Sequence, residues 1–313
     1  MLWMSDSTVL FPKPAGHVSR VARHAIVRRL KTGTNGSMFA PSDATPPPVS
    51  SGHGRSSTER PTRPLSVWLA GPIGIDAYAE LAERLAADAA KPDGRPPTLL
   101  VCELEPVITV GRQGSRTDVR LADDELVARR LAVRFMGRGG GAIPHGPGQV
   151  CVALFARLDD LGLSPCDVGG YLGRFEAALE AALRRLRCGT TRRPGMHGIF
   201  GRTGLLAALG VAIRGGVARH GGFLNVAADI GLCDRVRSVP GTVSRAGAGG
   251  AASKFTTMGS VEADLQRRVR LQEARSAVVE GITEAFAFAR SHVQSGFPPP
   301  GGIGPGRRMF HVG

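Results

Sequence analysis

Arg138-Gly139-Gly140-Gly141-Ala142-Ile143-Pro144-His145-Gly146-Pro147-Gly148-Gln149 is the stretch on which the reading of this chain turns. An apolar run precedes it at 131–136 and another follows at 150–155. Two strands joined by a glycine-rich crossover are therefore expected. Five glycines in twelve residues let the backbone come close to a ligand. Arg138 and His145 bracket the turn with a fixed cation and a titratable ring.

Working outward, residues 66–70 read as a strand and 75–90 as a helix with Leu81 and Leu85 on one face. Residues 98–103 and 107–110 are expected to pair as strands around Pro106, closed by Gly111-Arg112-Gln113-Gly114. A short helix at 123–131 leads back to the glycine-rich stretch. Beyond it, Leu172, Phe175, Leu179, Leu183 and Leu186 recur at helical spacing and predict a helix over 167–186 packed on the core. Helical periodicity also marks 261–290. Residues 1–64 carry nine Lys/Arg against three Asp/Glu and almost no apolar periodicity, the composition of a disordered basic tail. The expected organisation is that tail, a globular domain at 65–292, and a Pro/Gly-rich tail at 293–313.

The net charge of +14 rests on 36 arginines and four lysines, a balance that favours acidic partners such as nucleic acid, a membrane surface or an acidic carrier protein. No basic motif interleaved with aromatics marks a nucleic-acid binder, so nucleic acid is not expected as a partner. No run of 18 apolar residues exists, so no transmembrane helix is expected. Five cysteines (Cys102, Cys151, Cys166, Cys188, Cys233) show neither CxxC nor metal-ligand spacing. No metal and no cofactor are expected, and a cytoplasmic, reducing setting fits. Cys102 and Cys151 lie in apolar runs and read as small core residues.

The opening stretch resembles the substrate loop of the octanoyltransferases of lipoate biosynthesis, which reads Arg-Gly-Gly-x-x-Thr-x-His-Gly-Pro-Gly-Gln. Other segments resemble the same family in order. Thr109-Val110-Gly111-Arg112-Gln113-Gly114 matches its Thr-x-Gly-x-x-Gly turn. Pro194-Gly195-Met196-His197 stands where it has Pro-Gly-Val-Trp, so the resemblance implies a strand at 194–200, with others at 205–210 and 220–226. His220-Gly221-Gly222-Phe223-Leu224-Asn225-Val226 matches His-Gly-x-x-Leu-Asn-Val. The resemblance covers residues 65–290. It implies an α/β (α+β) fold, a mixed β-sheet with flanking helices, shared with biotin and lipoate protein ligases. It also implies transfer of an octanoyl group from acyl carrier protein to a lysine of a lipoyl domain, in 2-oxoacid dehydrogenases or the glycine cleavage H protein. On this reading Arg138, Gly139, Gly140, Gly141, Ala142, Ile143, Pro144 and His145 are the substrate-binding loop, in which Arg138 and the following glycines bind the acyl-carrier arm and His145 orders the loop. Ala208, Leu209, Gly210, Gly221, Gly222 and Phe223 contact the acyl chain. The lipoate ligases share Gly-Gly-Gly-Ala-x-x-His, but they too use a lysine at the position of Leu205.

The family's reaction uses a cysteine thiolate whose pKa a lysine lowers. Here Leu205 stands at the lysine position and Val239 at the cysteine position, while Ile143 replaces the loop threonine. Cys233 and Ser238 are the substitutes within reach in sequence, the serine requiring His145 or His220 as its base. Lys254 reads as a solvated surface charge. Two functions follow: an octanoyltransferase with an altered nucleophile, or an inactive member that binds acyl chains or carrier domains without transfer, its pocket made more apolar by Leu205 and Val239.

Overall fold

The computed structural model describes residues 61, 63–238 and 257–300. Most of the expected basic tail, Val239, Lys254 and the chain end beyond 300 lie outside the described residues. In chain order the elements are β1 (Leu65–Ile73), α1 (Ile75–Ala90), β2 (Thr98–Leu104), β3 (Val107–Val110), α2 (Asp123–Ala128), β4 (Ala132–Phe135), β5 (Ala142–His145), β6 (Gln149–Arg157), α3 (Val168–Arg185), β7 (Ile199–Phe200), β8 (Leu205–Arg214), β9 (Val217–Asn225), α4 (Ile230–Cys233), α5 (Val261–Leu265), α6 (Leu271–Ala285) and β10 (Ser291–Ser295). Seven strands form one mixed sheet in the order β10-β1-β2-β6-β9-β8-β7, and three form a second in the order β4-β3-β5. In the large sheet β1 runs parallel to β10 and β2, and the remaining pairs are antiparallel.

Alternation along the strands sends side chains to two cores. Leu99, Val101, Val152, Leu209 and Val211 pack with Phe175 and Leu179 of α3 and with Val278 and Ile282 of α6. On the opposite face Leu100, Cys102, Cys151, Ala153, Ala208 and Phe223 pack with Tyr78, Leu81 and Leu85 of α1. The small sheet closes over that second face, because Ile143 of β5 joins its core while Ala142 belongs to the cluster under α2 and α4. Helix α3 starts where expected: the Asp167 carboxylate accepts from the Gly170 amide at 2.8 Å, satisfying one orphan donor of the first turn.

Four expectations change. The segments at 98–103 and 107–110 do not pair, since β2 lies in the large sheet and β3 in the small one. The turn at Glu105–Pro106 is a crossing between sheets. The glycine-rich stretch is not all crossover, because Ala142–His145 pairs antiparallel with β3. The strand expected at 194–200 shrinks to Ile199–Phe200. The helical stretch at 261–290 breaks into α5 and α6, and β10 follows it, crossing the expected boundary at 292. Ser291–Ser295 is mostly exposed, so it carries no alternating apolar signal to read.

Helix α3 approaches the sheet closely at Gly221 and Gly222. A Cβ on Gly221 would overlap the Val152 carbonyl oxygen and lie 2.7 Å from Phe175 Cζ. Gly221→Ala is expected to destabilise the protein by about 1–3 kcal/mol, the usual cost of overpacking a core. Urea denaturation checks this, and an unchanged midpoint contradicts the packing described.

Candidate active site

A chain of side-chain hydrogen bonds crosses from the small sheet to the large one. Arg138 sits in it with only 1% of its surface exposed. Its Nε and Nη2 donate to Thr109 Oγ1 at 3.2 and 2.6 Å, Nη2 also to the Thr109 carbonyl at 2.9 Å, and Nη1 to the Gly139 carbonyl at 2.9 Å. Among the described residues no carboxylate pairs with it. Burial accordingly pulls its pKa down to about 10. It remains a cation at neutral pH, solvated by carbonyl and hydroxyl oxygens in place of water.

Donor counting fixes the rest of the chain. Gln149 Nε2 donates to the Pro144 carbonyl at 3.0 Å and to Asn225 Oδ1 at 2.8 Å, so Gln149 Oε1 must accept from His145 Nδ1 at 2.5 Å. The His145 proton is then on Nδ1, leaving Nε2 to accept from Thr109 Oγ1 at 2.7 Å. The threonine hydroxyl, already taking two N–H bonds from Arg138, has one proton to give, and it goes to His145. Asn225 Nδ2 completes the run at the Leu205 carbonyl, 3.4 Å away. Every member is satisfied in one direction, which rigidifies the site. Burial first, and then the Arg138 charge, push His145 down to about pKa 3. His220 is pushed down to about 4 by burial, with Arg138 next among the causes.

Local backbone makes room for this arginine. A Cβ on Gly210 would lie 2.8 Å from Arg138 Cδ, and one on Gly111 would lie 2.8 Å from Nη1. Phe223 lies under the guanidinium at 5.6 Å and against the His145 ring at 4.6 Å. The amide of Gly139 bonds the Val211 carbonyl at 2.8 Å, tying the glycine strap to the β8 edge.

His145 and Gln149 form the inner wall of a cavity of about 280 Å³, which is also lined by Pro106, Leu131, Pro144, Pro147, Leu232 and Cys233, with Arg129 and Asp229 as its charged residues. The apolar lining suits an alkyl chain and the polar residues suit its reacting end.

The structure distributes the expected site residues unevenly. Pro144 and His145 line this cavity; Arg138 does not, being sealed between the sheets with its donors occupied, so it orders the loop and an incoming arm does not meet it. Gly221 and Gly222 are small because Phe175 and Leu179 of α3 pack there, so they do not face an acyl chain. Gly210 and Phe223 lie against Arg138 and Ala208 is the register partner of Phe223, while Gly139, Gly140 and Leu209 line a different cavity. Of the two substitute nucleophiles, Cys233 does line the active-site cavity. Burial, with Asp229 and Asp234, pushes its thiol up to about 12, the opposite of an activated thiolate. Ser238 Oγ donates to the Ala142 carbonyl at 2.9 Å and is 2% exposed. Neither histidine serves it: both His145 ring nitrogens are engaged, and His220 Nδ1 contacts the Tyr78 hydroxyl at 3.3 Å. Leu205 is buried, and its backbone carbonyl is the part that meets the network. Thr109, Gln149 and Asn225 complete the hydrogen-bonded chain, and motif matching quotes them without giving them a role. Asp229 and Arg129 carry no sequence signal at all.

This arrangement of a glycine strap, a buried arginine and a histidine over a mixed sheet belongs to a known class. Residues 77–283 match the lipoyl protein ligase A/B catalytic domain, and the chain belongs to that family. Among its relatives, an octanoyltransferase of Geotalea uraniireducens is 31% identical over 219 residues, covering 69% of this chain and 92% of the relative. One of Pelobacter propionicus is 34% identical over 167 residues, covering 52% of this chain and 75% of the relative. In fold the chain is similar to Ta0514, a lipoate protein ligase of Thermoplasma acidophilum solved with bound lipoic acid, at TM-score 0.55, 16% identity and coverage of 74% of this chain and 88% of that one. A lipoate-protein ligase A solved with ATP aligns at TM-score 0.56 and 16% identity, with the same coverage.

Because the folded state holds His220 neutral, its contribution is complete above an unfolded pKa near 6.5 and is lost as pH falls toward about 4. Replacing it should relieve that loss. Relative to the wild type, the stability of His220→Asn is expected to rise by about 1.4 kcal/mol per pH unit between pH 6.5 and 5. Paired urea titrations at several pH values measure it, and a pH-independent difference contradicts a buried neutral ring.

Proposed function

We propose that this protein is an octanoyltransferase of protein lipoylation, moving an octanoyl group from acyl carrier protein to a lysine of a lipoyl domain. The observation that carries the reading is the continuous hydrogen-bond chain Arg138–Thr109–His145–Gln149–Asn225. It joins three separate family motifs at the wall of one apolar cavity. The octanoyl chain lies against Leu131, Leu232 and the prolines, and its thioester carbonyl lies near His145. A cytoplasmic setting suits the five unpaired cysteines.

With no thiolate or serine–histidine pair at the cavity among the described residues, the acceptor amine attacks the thioester carbonyl directly. The acceptor lysine first gives its ammonium proton to solvent; the free amine then forms the C–N bond as the C–S bond breaks, and its second proton goes to the departing carrier thiolate, which leaves as the thiol. A thioester is activated enough for an amine held in place, so orientation supplies the catalysis. Asp229, at the cavity, meets the incoming lysine ammonium, and Arg129 steers the acidic carrier. An acyl-enzyme at Cys233 is the second reading, favoured by that residue's place in the cavity wall.

Octanoyl-carrier protein and an unmodified lipoyl domain, incubated with the full chain, test the reading by intact mass. The lipoyl domain is expected to gain one octanoyl group. Gln149→Leu should slow this at least tenfold, whereas Cys233→Ala should leave it within twofold. Loss of transfer in Cys233→Ala would establish the acyl-enzyme instead, and no transfer by folded wild-type protein would refute the function.

A further inference from the structure

The turn that joins β5 to β6 is part of the cavity wall. Gly146 and Pro147 line the cavity, and His145 and Gln149 flank the turn and line it as well. The Gln149 amide bonds the Gly146 carbonyl at 3.3 Å, which closes a four-residue turn with Pro147 and Gly148 at its centre. Proline at the second position suits a type I or a type II turn. Gly148 decides between them: its φ of +84° is that of type II, in which the central peptide is flipped relative to type I. Glycine permits either form, so contacts from outside the turn fix it.

Two such contacts meet at Gly148. Its carbonyl accepts from the Val226 and Ala227 amides at 3.0 and 2.9 Å, which ties the turn to the end of β9. Its amide, which belongs to the central peptide, donates to Glu103 Oε2 at 3.3 Å. A flip of that peptide would carry the N–H away from the carboxylate. Gly148 is also a junction in sequence. Gln149, the next residue, orients His145, and Ala228 and Asp229, just past Ala227, form another part of the cavity wall.

Glu103 reaches the turn from the opposite layer. On β2, Leu100, Cys102 and Leu104 face α1, while Leu99 and Val101 face α3 and α6. Alternation puts Glu103 with the second set. There its Oε1 accepts from Nη2 of Arg275 on α6 at 2.8 Å, and each side chain is only 15% exposed. Among the described residues no other carboxylate pairs with Arg275. A cation thus fixes one oxygen of the carboxylate, and the other makes a charge-assisted bond to the turn, stronger than a neutral one. Neither residue stands in the motifs that carry the family resemblance.

We propose that Glu103, held by Arg275, is a positioning residue of the active site: it keeps the turn at 146–149 in its type II form and so sets the cavity wall and the seat of Gln149. It acts through the Gly148 amide and lines no part of the cavity. Its effect on rate rests on the octanoyl-transfer reading, whereas its effect on the turn does not.

The test compares Glu103→Leu, Glu103→Asp and Glu103→Gln in the full chain. Leucine and glutamine both abolish the ion pair, but only glutamine keeps an oxygen for the Gly148 amide. Aspartate keeps the charge and draws it back by one methylene. Glu103→Leu and Glu103→Asp are expected to speed hydrogen exchange of the Gly148 amide about tenfold and to shift the His145 ring ¹⁵N signals. They should also lower kcat/KM for octanoyl transfer about tenfold. Glu103→Gln should hold exchange and kcat/KM within about threefold of the wild type and leave the ring signals in place. Unchanged exchange and ring signals in Glu103→Leu would overturn the proposal. So would equal impairment by leucine and glutamine, which marks a purely structural ion pair, or a disturbed turn with transfer intact. A wild type without transfer would refute the activity, and exchange and ring signals would then decide the role of Glu103 by themselves.

Discussion

A guanidinium buried without a carboxylate is the constraint on which the site depends. Placing Arg138 between two sheets is costly unless oxygens replace its lost hydration, and Thr109 and Gly139 supply them. Once those oxygens are committed, the threonine hydroxyl has a single direction left, and that direction sets the histidine tautomer. One cation thereby orients a run of side chains ending at the Leu205 carbonyl.

The sheets are built around that cation. Ala142–His145 pairs with β3, which brings Thr109 and His145 to the same place from segments far apart in sequence. Gln149 and Asn225 face each other as register partners in β6 and β9. Gly210 and Gly111 keep the arginine's path clear, and Phe223 gives it an aromatic floor. In place of a lysine ammonium, the chain puts Leu205, whose side chain packs in the core while its backbone terminates the network. Among the described residues the cavity therefore offers apolar walls and an oriented histidine, and no activated nucleophile.

Sequence made the frame legible where apolar periodicity was strong. The helix over α1 and the α3 stripe follow from it, while strands β8 and β9 follow from the motifs that resemble the family. It failed where tertiary pairing overrides local pattern: β5 hides in a glycine-rich stretch, and the exposed β10 has no alternation to read. The order of motifs identified the family, and it placed His145 at the cavity. The role of Arg138 was not legible as a ligand contact or otherwise, because a motif arginine reads the same whether it is sealed inside or facing a substrate. Glycines at Gly221 and Gly222 likewise read as ligand clearance, yet the clearance is for Phe175 and Leu179. Asp229 became visible only through the cavity that it lines.

The central claim is that burial, with the Arg138 charge, holds His145 neutral, and that Arg138 through Thr109 sets its proton on Nδ1. Ring ¹⁵N chemical shifts of His145, followed by NMR from pH 7.5 to 4.5 in the wild type and in Arg138→Met, test it most directly. The account predicts one neutral Nδ1–H tautomer across that range in the wild type, and a mixture of tautomers once Thr109 is no longer held by the arginine. An Nε2–H tautomer, or an ordinary wild-type titration near pH 6.5, would contradict it.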